Sequence, residues 1–247
     1  MHAKMIAHRG ASVDAPENTM PAFELALEQG AQMLEFDVRP TTDGTVVAFH
    51  DDTTERWNGV PQRIDQLSFA DVQRLDIGGA QVPTLDELCH WAASTDLELN
   101  VEIKVTGIEA EVDRIVRQHG LIDRVVVSSF VGEALQRMRQ IAPDIARGVL
   151  MGTTTLAPRV RVREAWPLPT LRQHVAHAWH PAWQLPLLAR LIPRVQRAGF
   201  AIYVWTVDDP IVMQRLLALG VDGIITNKPA LLRDTITSWQ SHRSDRT

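Results

Sequence analysis

Two histidines, three carboxylates and an arginine fall at the ends of short apolar runs early in this chain. The runs read Met5-Ile6-Ala7-His8-Arg9-Gly10, Leu34-Glu35-Phe36-Asp37-Val38 and Val46-Val47-Ala48-Phe49-His50-Asp51. Pro16-Glu17-Asn18-Thr19 lies between the first two. Imidazoles titrate near neutral pH, so His8 and His50 can serve as general acid and base. Glu35 and Asp37 are two apart on a strand-like run and so point to the same side of it. Adjacent carboxylates repel unless a cation separates them, and a hard divalent ion takes oxygen ligands of this kind. Arg9 and Lys104 are cations suited to an anionic substrate. The combination points to metal-assisted phosphoryl chemistry. An E-x-D pair or a lone histidine carries little weight, whereas four segments ending in compatible chemistry carry much more.

The elements that must position these groups follow from periodicity. A strand ends at His8; apolar positions from Asn18 to Glu28, with Gly30 beyond, predict a helix. Met33–Val38 is a second strand, and only Arg39–Thr45, containing Asp43-Gly44, separates it from Val46–His50. A parallel crossover needs a dozen or more residues, so these two runs pair as an antiparallel hairpin, bringing His50 roughly opposite Asp37. Strands are expected at Leu97–Lys104, Val125–Phe130, Ala146–Leu150, His174–Ala178, Ala201–Val207 and Asp222–Thr226. Helices are expected at Ile108–Val116, Glu133–Ile141, Leu185–Ala198, Pro210–Leu219 and Pro229–Trp239. The stretch Met151–Leu171 gives no clean assignment. Eight strands, most followed by a helix, imply a (β/α)8 TIM barrel of the α/β class, with a β-hairpin after strand 2. Asp51–Pro83 reads as a small insertion, partly helical near Ser68–Leu75. Residues 241–247 form a polar tail expected to fray. In such barrels the active site lies at the carboxyl ends of the strands, where His8, Arg9, Glu35, Asp37, Glu102, Lys104, Phe130, Trp205 and Asn227 converge.

The chain has 247 residues, 45% hydrophobic and 22% charged, with a net charge of −5. That size suits one domain over residues 1–247. The lysines and arginines read as scattered rather than clustered, so no case arises for nucleic-acid binding. No apolar run approaches the ~20 residues of a membrane span, and no signal-peptide h-region is visible. Cys89 is the only cysteine, which excludes an internal disulfide and fits a reducing cytoplasm. It reads as a small buried hydrophobe on a helix.

These residues, in this order, resemble the glycerophosphodiester phosphodiesterase family, cytoplasmic bacterial type. The matching motifs are His8-Arg9-Gly10, Pro16-Glu17-Asn18-Thr19, Glu35-Phe36-Asp37-Val38, Thr41-Thr42-Asp43-Gly44 and His50-Asp51. Pro83-Thr84-Leu85, Glu102-Ile103-Lys104, Val204-Trp205-Thr206-Val207 and Gly220–Thr226 continue the match, which spans Met5 to about Leu232. The resemblance implies metal-dependent hydrolysis of glycerophosphodiesters to glycerol 3-phosphate and an alcohol, with Mg²⁺ or Ca²⁺ as cofactor. It implies His8 and His50 as the acid/base pair, Glu35, Asp37 and Glu102 as cation ligands, and Arg9 and Lys104 on the phosphate. Asn227 departs from the family pattern, where an acidic residue is frequent; the departure is expected not to touch the chemistry.

Glu17 is counted with the substrate-binding residues because it could orient Arg9; alternatively, Glu17 serves the first helix as dipole partner while Asn18 or Thr19 caps it. Trp205 is expected to wall the pocket, with plain core packing as its alternative, and Phe130 follows strand four at the same rim. His174, His177 and His180 look like a metal cluster, but His174 and His177 would face opposite sides of a strand. His180, at the rim end, has substrate contact and a structural role as alternatives. Two rival functions share these residues: lysophospholipase D-type hydrolysis of lysophospholipids, and a non-catalytic phosphate-metabolite binding protein on the same scaffold.

Overall fold

A computed structural model describes residues 3–152 and 157–244. The elements follow in the order β1 (Lys4–His8), α1 (Met20–Glu28), β2 (Met33–Pro40), β3 (Val46–Ala48), α2 (Glu55–Asn58), α3 (Phe69–Val72) and α4 (Leu85–Ala93). Next come β4 (Glu98–Ile103), α5 (Glu109–Gln118), β5 (Val125–Ser129), α6 (Gly132–Ile141) and β6 (Ala146–Met151). The chain continues through α7 (Pro158–Ala165), α8 (Pro167–Gln173), β7 (Ala178–Pro181) and α9 (Leu188–Arg197). It closes with β8 (Ala201–Val204), α10 (Pro210–Leu219), β9 (Gly223–Thr226) and α11 (Pro229–Ser244).

The parallel strands run β1-β9-β8-β7-β6-β5-β4-β2, and β1 pairs with β2 to close the barrel. The ninth strand, β3, pairs antiparallel to β2 as the expected hairpin arm. Alternation along each strand divides the core in two. Leu34, Phe36, Leu99, Val101 and Val127 face outward and pack with α1 and α4–α6 residues such as Phe23, Leu88, Val112 and Met138. Ile6, Met33, Val126, Tyr203 and Ile225 fill the interior. Register then stacks the chemistry at one end: His8 pairs with Glu35, and Asp37 pairs with Glu102.

The insertion has a small core of its own, formed by Phe49, Ile64, Val72, Leu75, Ile77 and Val82. Ser68 caps α3 and Thr84 caps α4, each in a reciprocal capping box. The Thr84 cap marks where the insertion ends and the barrel resumes. Cys89 is fully buried in the outer core, as expected, and burial pushes its thiol up to about 12.

Three expectations need correction, and one open stretch gains its elements. The strand expected at His174–Ala178 begins only at Ala178: His174 ends α8, and Val175 turns the chain with φ +47°. His180 therefore lies inside the barrel, fully buried, rather than at the rim, and burial lowers it to about 3. The unassigned stretch 151–171 contains α7 and the start of α8, while residues 153–156 lie outside the described residues. Finally, α11 continues through the supposed tail to Ser244; residues 245–247 are outside the description.

Candidate active site

Each functional side chain is carried on a strand end or the turn that follows. Arg9 and Asn18 both hold left-handed backbone (φ +56° each), a conformation that costs energy in non-glycine residues and collects at functional sites. Gly10 follows with φ +83°, and a Cβ there would come within 2.6 Å of the Ala22 carbonyl carbon. The turn can therefore lie against α1 only because residue 10 lacks a side chain.

Glu35, Asp37 and Glu102 are all buried, and each offers an oxygen within 4.8 Å of the others. Cations already crowd this group. Lys104 Nζ lies 2.8 Å from Asp37 Oδ1 and 2.5 Å from Glu102 Oε1, and Arg9 Nε lies 3.1 Å from Asp37 Oδ2. Burial alone would raise Asp37, but Lys104 and Arg9 hold it well below the usual carboxylate range. Burial pushes Glu35 well up, and the charges of Asp37 and Glu102 add to this. Glu102 rises to about 7, by burial first and by Asp37 second, against the pull of Lys104. One firmly ionised carboxylate beside two proton-retaining ones is an oxygen set able to exchange protons for a hard cation. Glu35 Oε2 is buried without a hydrogen-bond partner, which fits a position awaiting such an ion.

The histidines flank this group. His8 Nε2 lies 3.8 Å from Glu35 Oε2, and burial, aided by Arg9, pushes the ring down to about 4. His50 is lowered by burial and by the charges of Arg9 and Lys104, while Asp37 and Asp51 oppose the shift. Its Nδ1 lies 2.7 Å from Asp51 Oδ1, and Arg39 donates to its carbonyl at 2.9 Å. The hairpin register is one residue from the expected one. Phe49 stands opposite Asp37, its N–H donating to the Asp37 carbonyl at 3.0 Å, and His50 follows.

A cleft of about 80 Å³ is lined by His8, Arg9, Glu35, His50, Glu102, Lys104, Phe130 and Trp205. Phe130 and Trp205 meet edge to face with centroids 5.5 Å apart, and Trp205 Nε1 donates to the His180 carbonyl at 2.7 Å. Glu17 is not among the lining residues. Its carboxylate accepts from Arg9 Nη1 at 2.9 Å and from Arg56 Nη2 at 2.5 Å, so it acts through Arg9. Asn18 does not cap α1; its amide donates to Asp37 Oδ2 at 2.9 Å. The three histidines at 174–180 form no metal group, since Glu35, Asp37 and Glu102 are the only such cluster among the described residues.

A sequence profile described as the glycerophosphoryl diester phosphodiesterase family matches residues 8–231. The chain belongs to that family. It is a phosphodiesterase of the TIM-barrel kind, similar to the glycerophosphodiester phosphodiesterase of Caldanaerobacter subterraneus subsp. tengcongensis. The two are 32% identical over 94% of this chain and 97% of that one. The solved glycerophosphodiester phosphodiesterase of Agrobacterium tumefaciens is 28% identical with a TM-score of 0.79, covering 93% of this chain and 98% of the other. An Oleispira antarctica phosphodiesterase, solved with the product sn-glycerol-3-phosphate, is 27% identical with a TM-score of 0.83, covering 96% and 97%.

Ser12 and Asp208 were not among the expected site residues, and Asn227 was placed at the rim but apart from the chemistry. Asn227 Oδ1 lies 2.6 Å from His8 Nδ1 and accepts from Ser12 Oγ at 2.9 Å. Its amide nitrogen donates to Asp208 Oδ2 at 2.6 Å. The departure at Asn227, expected to be remote from the chemistry, touches one of its histidines directly. Its place just beyond β9, in register with the end of β1, was the available signal.

Proposed function

We propose that this phosphodiesterase hydrolyses small glycerophosphodiesters to glycerol 3-phosphate and an alcohol, with a divalent cation held by Glu35, Asp37 and Glu102. The observation that carries the reading is the convergence of those three buried oxygens with two histidines and two cations in one cleft. When bound, a divalent cation there would neutralise the non-bridging phosphate oxygens and make phosphorus a better electrophile. Arg9 and Lys104 supply further positive charge for the same oxygens, with Arg9 held in aim by Glu17.

The histidines divide the proton transfers, and their partners decide how. Asp208 can only accept, so the Asn227 amide nitrogen must face it and Asn227 Oδ1 must face His8. Two acceptors cannot meet, so His8 carries its proton on Nδ1 and keeps the Nε2 lone pair toward the cleft. His8 is then the base that takes the proton of the attacking water, or of a neighbouring substrate hydroxyl whose cyclic phosphate water then opens. His50 is backed by the Asp51 carboxylate, whose charge stabilises an imidazolium as no amide can. His50 is the acid that protonates the departing alkoxide.

The test is incubation of the metal-loaded enzyme with glycerophosphocholine, followed by phosphorus NMR. The expected products are glycerol 3-phosphate and choline. Binding without turnover would return the protein to the non-catalytic alternative. Faster turnover of lysophosphatidylcholine would favour the lysophospholipase D alternative.

A further inference from the structure

The charge along this chain is not evenly spread. Residues 157–200 hold seven arginines and one acidic residue, Glu164, in a protein whose net charge is −5. The remainder is therefore strongly acidic. The arginines are dispersed among Val, Leu and Pro and form no run, yet this segment is nearly free of acidic residues.

The corner between α7 and α8 meets α9 around Trp166, Leu191 and Arg194 and forms one flank with it. In α9 the buried positions are Leu188, Leu191, Ile192 and Val195, which leaves Arg190 and Arg194, one turn apart, on the outer face. The corner between α7 and α8 presents Trp166, 64% exposed, and Val162 is 68% exposed on α7. At the head of α9, Leu187 is 54% exposed. Trp166, Leu168, Leu191 and Val195 line a shallow, mainly apolar hollow of about 160 Å³ with Arg194 at its edge.

We propose that this flank docks on an anionic lipid surface. Tryptophan and arginine are the residues that settle at a membrane interface, the indole at headgroup depth and the guanidinium on phosphate. The hollow matches the same ligand: hydrocarbon against Trp166 and Leu191, phosphate against Arg194. Because the rest of the molecule is acidic, an anionic surface attracts this flank and repels the others, so approach is oriented. An acidic protein partner would satisfy the arginines but gives no reason for the hollow or for the exposed Trp166 and Val162. The hollow shares no lining residue with the catalytic cleft, so docking would set where the enzyme works without entering its chemistry.

The experiment is co-sedimentation of the full chain with vesicles of phosphatidylcholine alone or with about 30 mol% phosphatidylglycerol, at about 0.1 M and about 0.5 M salt. The expected result is binding only to the anionic vesicles, lost at high salt. The double variant Arg190→Glu with Arg194→Glu should bind about tenfold more weakly, and Trp166→Ser should also bind more weakly. Both should hydrolyse glycerophosphocholine at the parental rate, which reports that they fold. Absence of binding to anionic vesicles, equal binding to both vesicle types, or undiminished binding of the double variant would each overturn the proposal. Self-association that Trp166→Ser abolishes, without vesicle binding, would assign the flank to a second copy of the chain and overturn it too.

Discussion

The ammonium of Lys104 lies 2.8 Å from Asp37, and Asp37 is the one carboxylate of the buried cluster held below its usual range. Lysine thus occupies oxygen that a metal ion would use, and it reaches Glu102 as well. Under the proposed function, a cation entering the cluster competes with Lys104 for these oxygens. Replacing it by Lys104→Met should tighten divalent-cation binding by about tenfold, since three buried carboxylates would lose their internal counter-charge. The same change should lower kcat/KM by about a hundredfold through loss of a phosphate contact. Titration calorimetry and steady-state kinetics on the one variant read both effects; a fall in both would mean Lys104 helps build the metal site.

Protons and metal compete for Glu35 and Glu102. Both are raised in the native state, Glu102 from 4.5 to about 7, chiefly by burial. The metal-free native protein therefore binds more protons than the unfolded chain in that interval, and these two groups make it less stable as pH rises through it. A bound cation favours the ionised forms, so the rise in Tm produced by Mg²⁺ or Ca²⁺ should grow between about pH 5 and about pH 8. Melting curves with and without metal across that range provide the check. A shift independent of pH would contradict the assignment of the ligands.

The asymmetry between the histidines predicts a leaving-group effect. His8→Ala and His50→Ala should each lower kcat on glycerophosphocholine by about 10²–10⁴-fold. With the p-nitrophenyl ester of glycerol 3-phosphate, whose leaving group needs no protonation, His50→Ala should recover most of its loss and His8→Ala should not. The reverse pattern would exchange the two roles.

Asn227 Oδ1 lies 2.6 Å from His8 Nδ1, and on the proposed reading it fixes the tautomer of that ring. Asn227→Leu should lower kcat by about 10–100-fold with KM little changed, because the ring loses its fixed tautomer while the phosphate contacts stay. Asn227→Asp, which still accepts from Nδ1–H, should retain more activity. Nitrogen-15 chemical shifts of the His8 ring report the tautomer directly in each variant.

The barrel was legible because eight strand-like runs alternate with amphipathic segments, and because a gap too short for a crossover forced β3 into a hairpin. Two-residue spacing at a strand end joined Glu35 to Asp37, and the family resemblance added Glu102, which the register places opposite Asp37. The start of β7 was not legible: the apolar pattern through His174–Ala178 continues past the end of α8, and only the left-handed turn at Val175 separates the two. The contact between Asn227 and His8 joins residues 219 apart and requires barrel closure between β1 and β9. Asn18 reads equally as a helix cap, and its hydrogen bond to Asp37 depends on a positive φ that no sequence pattern announces.

The most direct test of the central claim is release of glycerol 3-phosphate from glycerophosphocholine before and after exhaustive chelation, followed by return of Mg²⁺ or Ca²⁺. Activity should vanish on chelation and return with metal in the parent enzyme. In Glu102→Gln it should return only at higher metal concentration. Turnover that survives chelation would contradict a cation held by Glu35, Asp37 and Glu102.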